Sequence, residues 1–450
     1  MNKLAAKKKR SSPAAKGAKL KSRSVSPLWQ GFVWGSCFTV TALLSSILGM
    51  TIALKTPLPV SLELIGEKLE KLKTFTPYSW LAPPLTKPIN ILVMGIDRVP
   101  NATGEGKFSG RSDTLLLVRL NPETNSIVVL SIPRDSRVRM PDGHYDKINS
   151  ANPLGGIPWV KKVIEENFKN VTVDHYVRVS TEALRKLVDA VGGVEVYVPK
   201  DMQYVDRTQG LYIDLKEGKQ VLDGEKAEQF IRFRNDWLAD IGRIQRQQLL
   251  LQALEAKLRS PQTLLRLPSI IQTLQEEVDT DLSKSQLWSI VNFALGVDRD
   301  NIRMILLPGK VSSSHRYNTS YWLISEPDLQ KIISEHFNGN TEGREESPSP
   351  DSISIVIQNS TPNPELARRL AEILREKGYT HVRLGGKSPF PTDTTLIIVQ
   401  KGDESAARQV QKLLPFGSLE FSSTGDVESD ITIRLGMDAE KLLEEKSFAQ

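Results

Sequence analysis

The chain has 450 residues, 39% of them apolar and 25% charged, too long for one ordinary domain and enough for two or three. Its formal net charge of +6 is unevenly spread: nine basic and no acidic residues precede residue 28, leaving 50 basic against 53 acidic residues in the rest. The single cysteine, Cys37, excludes an intrachain disulfide, and a thiol nucleophile or cysteine-built zinc site anywhere beyond it.

Residues 1–27 form a basic tail suited to an anionic membrane surface or to nucleic acid. Residues 28–54, LWQGFVWGSCFTVTALLSSILGMTIAL, carry no charge. As a helix they reach roughly 40 Å, enough to cross a bilayer core with some tilt. Trp29 and Trp34 sit near the start, where interfacial aromatics are expected, and the lysines before the segment predict an N-terminus in the cytoplasm. The expectation is a single-pass anchor in the cytoplasmic membrane with the remainder outside the cell. A cleaved signal peptide is the competing reading, but the apolar run is longer than a signal core and lacks a convincing cleavage site.

Residues 55–88 read as a stalk, with one short charged helix and a Pro-rich end. A folded domain, 89–337, is predicted from INILVMG onward. TLLLVRL and SIVVLSI are strand-like and joined by the turn composition NPETN. IPWVKKVIEENF then reads as a helix, DHYVRV as a strand, TEALRKLVDAV as a helix and GGVEVYVP as a strand. That alternation predicts α/β architecture, a mixed central sheet flanked by helices. Helices continue to residue 258 and over 284–295; NIRMILLP and a helix near 327–336 close the domain. Residues 338–351 are a polar linker, and 352–438 form a second, small α/β domain.

One stretch, IRFRNDWLADIGRIQRQQ at 231–248, crowds arginines into a helix that enters a core. At about 100° per residue, Arg243 and Gln247 share a stripe with Leu250, Leu254 and Leu258, with Arg246 at its edge. A guanidinium on such a face needs a counter-charge, and no acid follows at i+3 or i+4. The charge must be met elsewhere in the fold or by a bound anion; Asp236 and Asp240 just before the helix offer a purely structural pairing. Arg232 and Arg234, read as an extended stretch, point to one side. Planar guanidinium groups converging in this number suit a diphosphate.

Upstream, Asp97 ends the first strand in MGID, and Arg111 and Asp113 start the next in GRSDT. Two carboxylates with no His or Cys beside them favour a hard cation such as Mg²⁺; each alone also fits a turn or cap. SIPRDSRV places Arg134 directly after a strand and a proline. Arg137 and Arg139 read as surface charges, and Lys147 in DKIN is a weak signal. No G-x-x-x-x-G-K-[ST] loop, G-x-S-x-G elbow or metal-spaced histidine set occurs, so ATP, a serine nucleophile and zinc lack support.

Taken in order, NILVMGID, RSDT, SIPRD, KIN, GGV, R-x-R and DxGRxxRQQ resemble the LytR–CpsA–Psr family of extracytoplasmic cell-wall phosphotransferases. The likeness covers roughly 89–258 by motif and extends more loosely to about 336; SANPLGG departs from a Tyr-bearing segment that often precedes Gly-Gly. The last domain, with SIVIQNST, LARRLAEILREKGY and ITIRLGMD, is similar to the LytR C-terminal domain. The resemblance implies transfer of a glycopolymer from a polyprenyl-pyrophosphate carrier to peptidoglycan. It further implies Mg²⁺ on Asp97 and Asp113, and pyrophosphate contacts from Arg134, Arg232, Arg234, Arg243 and Gln247. Asp113, Arg134 and Arg243 are the catalytic candidates, with Asp113, Asp135 and Asp240 open as general base. Hydrolysis at the same site and a non-catalytic lipid- or glycan-binding scaffold are the alternatives. Nucleic-acid binding is not expected, because the topology places the folded domains outside. For the C-terminal domain the expectation is docking or binding, with deletion after residue 340 leaving the chemistry intact.

Overall fold

A computed structural model describes residues 83–97, 104–207, 210–233, 239–312, 317, 319–337, 348–388, 390–414 and 416–440. The basic tail, the apolar segment 28–54 and most of the stalk lie outside the described residues, as do Arg234 and Asp236 and the side chain of Asp240.

Three antiparallel strands begin the first domain: β1 (Ile89–Ile96), β2 (Ser112–Asn121) and β3 (Ser126–Ile132). Their apolar runs are continuous because both faces are covered. Leu92, Met94, Leu115, Leu117 and Leu130 face one core; Ile91, Leu116, Leu120 and Val129 face another, as the period of two requires. The hairpin β4 (Arg137–Arg139) and β5 (Tyr145–Lys147) follows, then helix α1 (Ala151–Asn167), broken where Gly156 takes a φ of 62° ahead of Pro158.

Strand β6 (His175–Ser180) pairs parallel with β1. Helix α2 (Thr181–Ala190) is capped by the Ser180 hydroxyl, which accepts from the Ala183 N–H. An outer lobe follows: β7 (Val194–Val198), the hairpin β8 (Met202–Asp206) and β9 (Leu211–Leu215), and β10 (Gly218–Leu222), which returns to β7. Its core also takes in α3 (Gly224–Arg232), α4 (Ala239–Leu258) and α5 (Pro261–Leu274). The hairpin between 202 and 215 was not expected, because acidic residues interrupt its short alternating strands.

Strand β11 (Val278–Thr280), helix α6 (Lys284–Gly296) and strand β12 (Ile302–Leu306) complete the sheet, in the mixed order β11-β6-β1-β2-β3-β12. The hairpin of β13 (Gly309–Val311) and β14 (Trp322–Ile324) precedes α7 (Glu326–His336), whose Leu329, Ile332 and Ile333 seal the first core.

The C-terminal domain runs β15 (Ile355–Asn359), α8 (Glu365–Glu376), β16 (Val382–Lys387), β17 (Leu396–Val399), α9 (Glu404–Lys412), β18 (Ser418–Glu420) and β19 (Ile431–Leu435). Its sheet order is β16-β15-β19-β17-β18. The segment after β18 lies against the first domain: the Met304 N–H donates to the Phe421 carbonyl at 3.0 Å, covering the free edge of β12.

Candidate active site

The site lies where β1 ends and β2 begins. Gly95 pairs with Thr114 and Ile96 with Ser112, so Asp113 is the extra residue of a bulge, a device that re-aims a side chain. Gly95 permits the approach: a Cβ there would lie 3.0 Å from Thr114 Cβ. The Asp97 N–H donates to the Arg111 carbonyl at 2.9 Å, holding the second acid beside the first strand pair.

Three arginines from three different elements meet these acids. Arg134, just beyond β3, donates from Nη1 to Asp113 Oδ1 at 2.8 Å. Arg243, one turn into α4 and only 2% exposed, places Nη1 3.9 Å from Asp113 Oδ2. Arg232 lies 3.8 Å from Asp97 Oδ1 and donates to Glu228 Oε1 at 2.9 Å. The Gln247 amide donates to Thr114 Oγ1 at 2.9 Å. Thus Asp97, Asp113, Arg134, Arg232, Arg243 and Gln247 gather at one place, from positions spread over 150 residues of chain.

Two expectations change. Arg232 is the last residue of a helix rather than part of an extended stretch, because Asp223 caps α3 and Glu228 pairs with Arg232 one turn on. Arg246 belongs to the packing: it lies 5.5 Å from the Phe233 ring and donates to the Phe233 carbonyl where the chain leaves α3. Glu228, 4% exposed, bridges Arg232 and Arg185; its i,i+4 spacing to Arg232 is the signal in the sequence that marks it.

From this charged end a cleft of about 170 Å³ runs between the sheet and the outer lobe. Asp97, Asp113, Arg232, Arg243 and Gln247 form its polar mouth, and Val93, Leu116, Leu184, Ile231, Leu250 and Leu254 its apolar walls. The leucines of α4 that line it lie about two to three turns beyond Arg243, which is why one helix supplies both ends. Ser180 and Thr181 join the wall, and the Ser180 hydroxyl donates to Glu277 at 2.7 Å. Burial raises the Glu277 carboxyl, but hydrogen bonds from Ser180 and Lys186 and the charges of Lys186 and Lys107 outweigh it and hold the group below its usual range.

Arg134 Nε also lies 4.0 Å from Asp135, which pairs with Lys147 at 2.9 Å. The weak signal at Lys147 thus gains a place at the edge of the site. Among the described residues no group of three or more His, Cys, Asp or Glu could hold a metal by itself. Two carboxylates at the mouth of this cleft fit a hard cation that takes its other ligands from substrate and water.

The helix-flanked mixed sheet thus holds an amphiphilic cleft with acids and arginines at its mouth. The LytR_cpsA_psr family model matches residues 66–338, and the LytR cell envelope-related transcriptional attenuator model matches 352–438. The chain belongs to the LytR_cpsA_psr family. It is 33% identical over 254 residues to the polyisoprenyl-teichoic acid–peptidoglycan teichoic acid transferase TagU of Oceanobacillus iheyensis, covering 55% of this chain and 74% of that one. Its identity to the corresponding TagV of Bacillus subtilis is 31% over 262 residues, covering 56% and 65%. A Streptococcus agalactiae crystal structure shares the fold, with a TM-score of 0.50, 24% identity and coverage of 55% and 87%.

Proposed function

We propose that the chain transfers a glycopolymer from a polyisoprenyl-pyrophosphate carrier to peptidoglycan, leaving a phosphodiester link. It is a transferase by family membership, and its relatives are named as polyisoprenyl-teichoic acid–peptidoglycan teichoic acid transferases. The observation that carries the reading is one cleft with arginines and acids at its mouth and a mainly aliphatic wall, joined by Ser180 and Thr181, behind them. A pyrophosphate with a prenyl tail matches both ends, whereas a free nucleotide or sugar phosphate leaves the leucine wall without a partner.

The acceptor hydroxyl attacks the sugar-proximal phosphorus; the bond from that phosphorus to the bridging oxygen breaks, and prenyl phosphate departs with the electron pair. Arg232 and Arg243 neutralise the departing phosphate, and Arg134 the equatorial oxygens. Charge placed where it develops in the transition state is the main source of rate in such reactions. The acceptor proton passes to a carboxylate, with Asp113 and Asp135 both beside Arg134. Asp97 and Asp113 would hold Mg²⁺, which when bound adds charge neutralisation at the phosphates. No nucleotide is needed, because the pyrophosphate already stores the driving force; this suits the extracytoplasmic placement we propose, with residues 28–54 as the anchor.

The test incubates full-length protein in detergent with a lipid-linked glycan and un-cross-linked peptidoglycan. Phosphodiester-linked product from the wild type, and its loss in Asp113→Asn and Arg232→Ala, is expected. Free phosphorylated glycan alone points to a hydrolase; wild-type rates in both variants end the assignment of the site.

A further inference from the structure

A second surface adjoins the charged site at Arg134, which pairs with Asp113 but does not line the apolar cleft. In the β4–β5 hairpin Arg137 pairs with Lys147 and Arg139 with Tyr145. Cross-strand partners share a face, and Val138 between them is fully buried, so these four side chains all project outward. Ser136 bridges to Trp322, whose N–H donates to the Asp135 carbonyl at 2.9 Å. That bridge brings the start of β14 alongside the hairpin.

The result is a run of rings and cations in contact. The Arg137 guanidinium lies 4.1 Å from the Tyr145 ring and 5.5 Å from the Tyr317 ring. Tyr317 meets Tyr321 edge-on at 5.4 Å, and Lys147 lies 5.9 Å from the Tyr321 ring. Tyr145 is 53% exposed. A lone exposed tyrosine needs no explanation, but three rings set around two cations form a prearranged platform. Its link to the reaction centre is short: Lys147 to Asp135 at 2.9 Å, Asp135 to Arg134 at 4.0 Å and Arg134 to Asp113 at 2.8 Å.

Tyrosine rings offer flat apolar faces with polar tips, at the low entropic cost of two side-chain torsions. Those faces match the C–H faces of pyranose rings, and guanidinium and ammonium donors match hydroxyls and carboxylates. The two sides of Asp113 identify which glycan belongs there. Its Oδ2 faces Arg243 and the cleft, and its Oδ1 faces Arg134 and the platform. Phosphoryl transfer sets the incoming oxygen in line with the leaving one. With the leaving prenyl phosphate over the cleft, the acceptor arrives from the side of Arg134. A peptidoglycan strand, with amino sugars and carboxylate-bearing stems, also complements Arg137, Arg139 and Lys147 in charge.

We propose that Arg137, Tyr145, Tyr317 and Tyr321 form the binding platform for the acceptor glycan, an inference that rests on the transferase reading above. Initial rates of the full-length protein are measured with acceptor varied at saturating donor, and the reverse. Arg137→Ala and Tyr145→Ala raise the acceptor KM by about three- to tenfold and leave the donor KM within about twofold; Tyr145→Phe, which keeps the ring, stays near wild type. A donor KM that rises instead assigns the platform to the donor polymer, and an unchanged acceptor KM overturns the proposal. Direct titration with a soluble GlcNAc–MurNAc oligosaccharide, followed by tyrosine fluorescence, stands apart from turnover. If the wild type transfers nothing, the functional reading fails, while weaker oligosaccharide binding by Tyr145→Ala still supports the platform and equal binding by variant and wild type still rejects it.

Discussion

The two faces of helix α4 make opposite demands on their surroundings. The front carries Arg243, Gln247, Leu250 and Leu254 into the cleft. The back carries Gln245 and Gln248, 8% and 1% exposed, into the C-terminal domain. The Gln245 amide donates to the carbonyls of Ser423 at 3.0 Å and Gly425 at 2.7 Å. Gln248 accepts from the Ser423 N–H at 2.8 Å and donates to Ser131 at 3.2 Å. Both faces are polar and buried, yet the back is neutral and met by backbone partners, while the front is cationic and opens on a cleft. A buried amide satisfied by carbonyls calls for no ligand; the cleft mouth, where Arg243 is buried beside the half-buried Arg232, is where we propose that an anion binds.

The largest effect that sharpens this contrast is loss of the C-terminal domain. The expectation from sequence, that truncation leaves the chemistry intact, treats that domain as independent. Truncation before residue 348 strips the partners from Gln245, Gln248 and Met304, five hydrogen bonds worth about 1 kcal/mol each. It also removes Glu404 and Asp403, the partners of Arg303 and Lys331. Urea unfolding of the remaining first domain is expected to report a loss of about 5 kcal/mol. An unchanged midpoint shows that the two domains are energetically separate.

Next in size is Arg243→Ala on the front face. Removing one positioned donor from a transition-state charge costs about 10²- to 10³-fold in kcat, measurable as the transfer rate at saturating donor. A similar loss from Gln245→Ala erases the distinction between the faces.

A smaller effect is acid sensitivity at the domain boundary. Burial and then the nearby Arg303 charge push His336 down to about 4, with Glu404 opposing and Lys331 adding to the shift. A histidine kept neutral in the fold is protonated first in the unfolded chain. Stability is therefore full above about pH 6.5 and declines as pH falls toward 4. At pH 5 the deficit is about 2 kcal/mol. His336→Leu is expected to flatten the stability difference between pH 7 and pH 5; an equally steep profile in the variant means another group governs it.

Comparable in size is the effect of Gln248→Leu. It leaves the Ser423 N–H without its acceptor and destabilises by about 1–3 kcal/mol, read by thermal melting, with the donor KM unchanged. A raised donor KM would mean the back face also sets the front.

Much of the architecture was legible because its physics is local. Leu366, Leu370 and Leu374 recur at helical spacing on α8 and are all buried, and the first three strands appear as uninterrupted apolar runs. The arginines of 231–248 were legible as an anomaly, since charge inside an apolar stripe demands an explanation wherever it occurs. The Arg137 platform was not, because stacking of a cation on two rings leaves no periodic trace and its rings come from segments 172 residues apart.

The sequence by itself determined the alternation of strands and helices, the apolar segment before the folded region and the kinds of group available for phosphate. Spacing along the chain dictates periodicity, and composition dictates chemistry. Tertiary structure alone decided which acid meets which arginine, that Arg232 ends a helix, and that the back of α4 closes on a loop 178 residues away. Neutral Gln, Ser and Gly carry no sign of their partners until the sheet, the lobe and the last domain close around one helix.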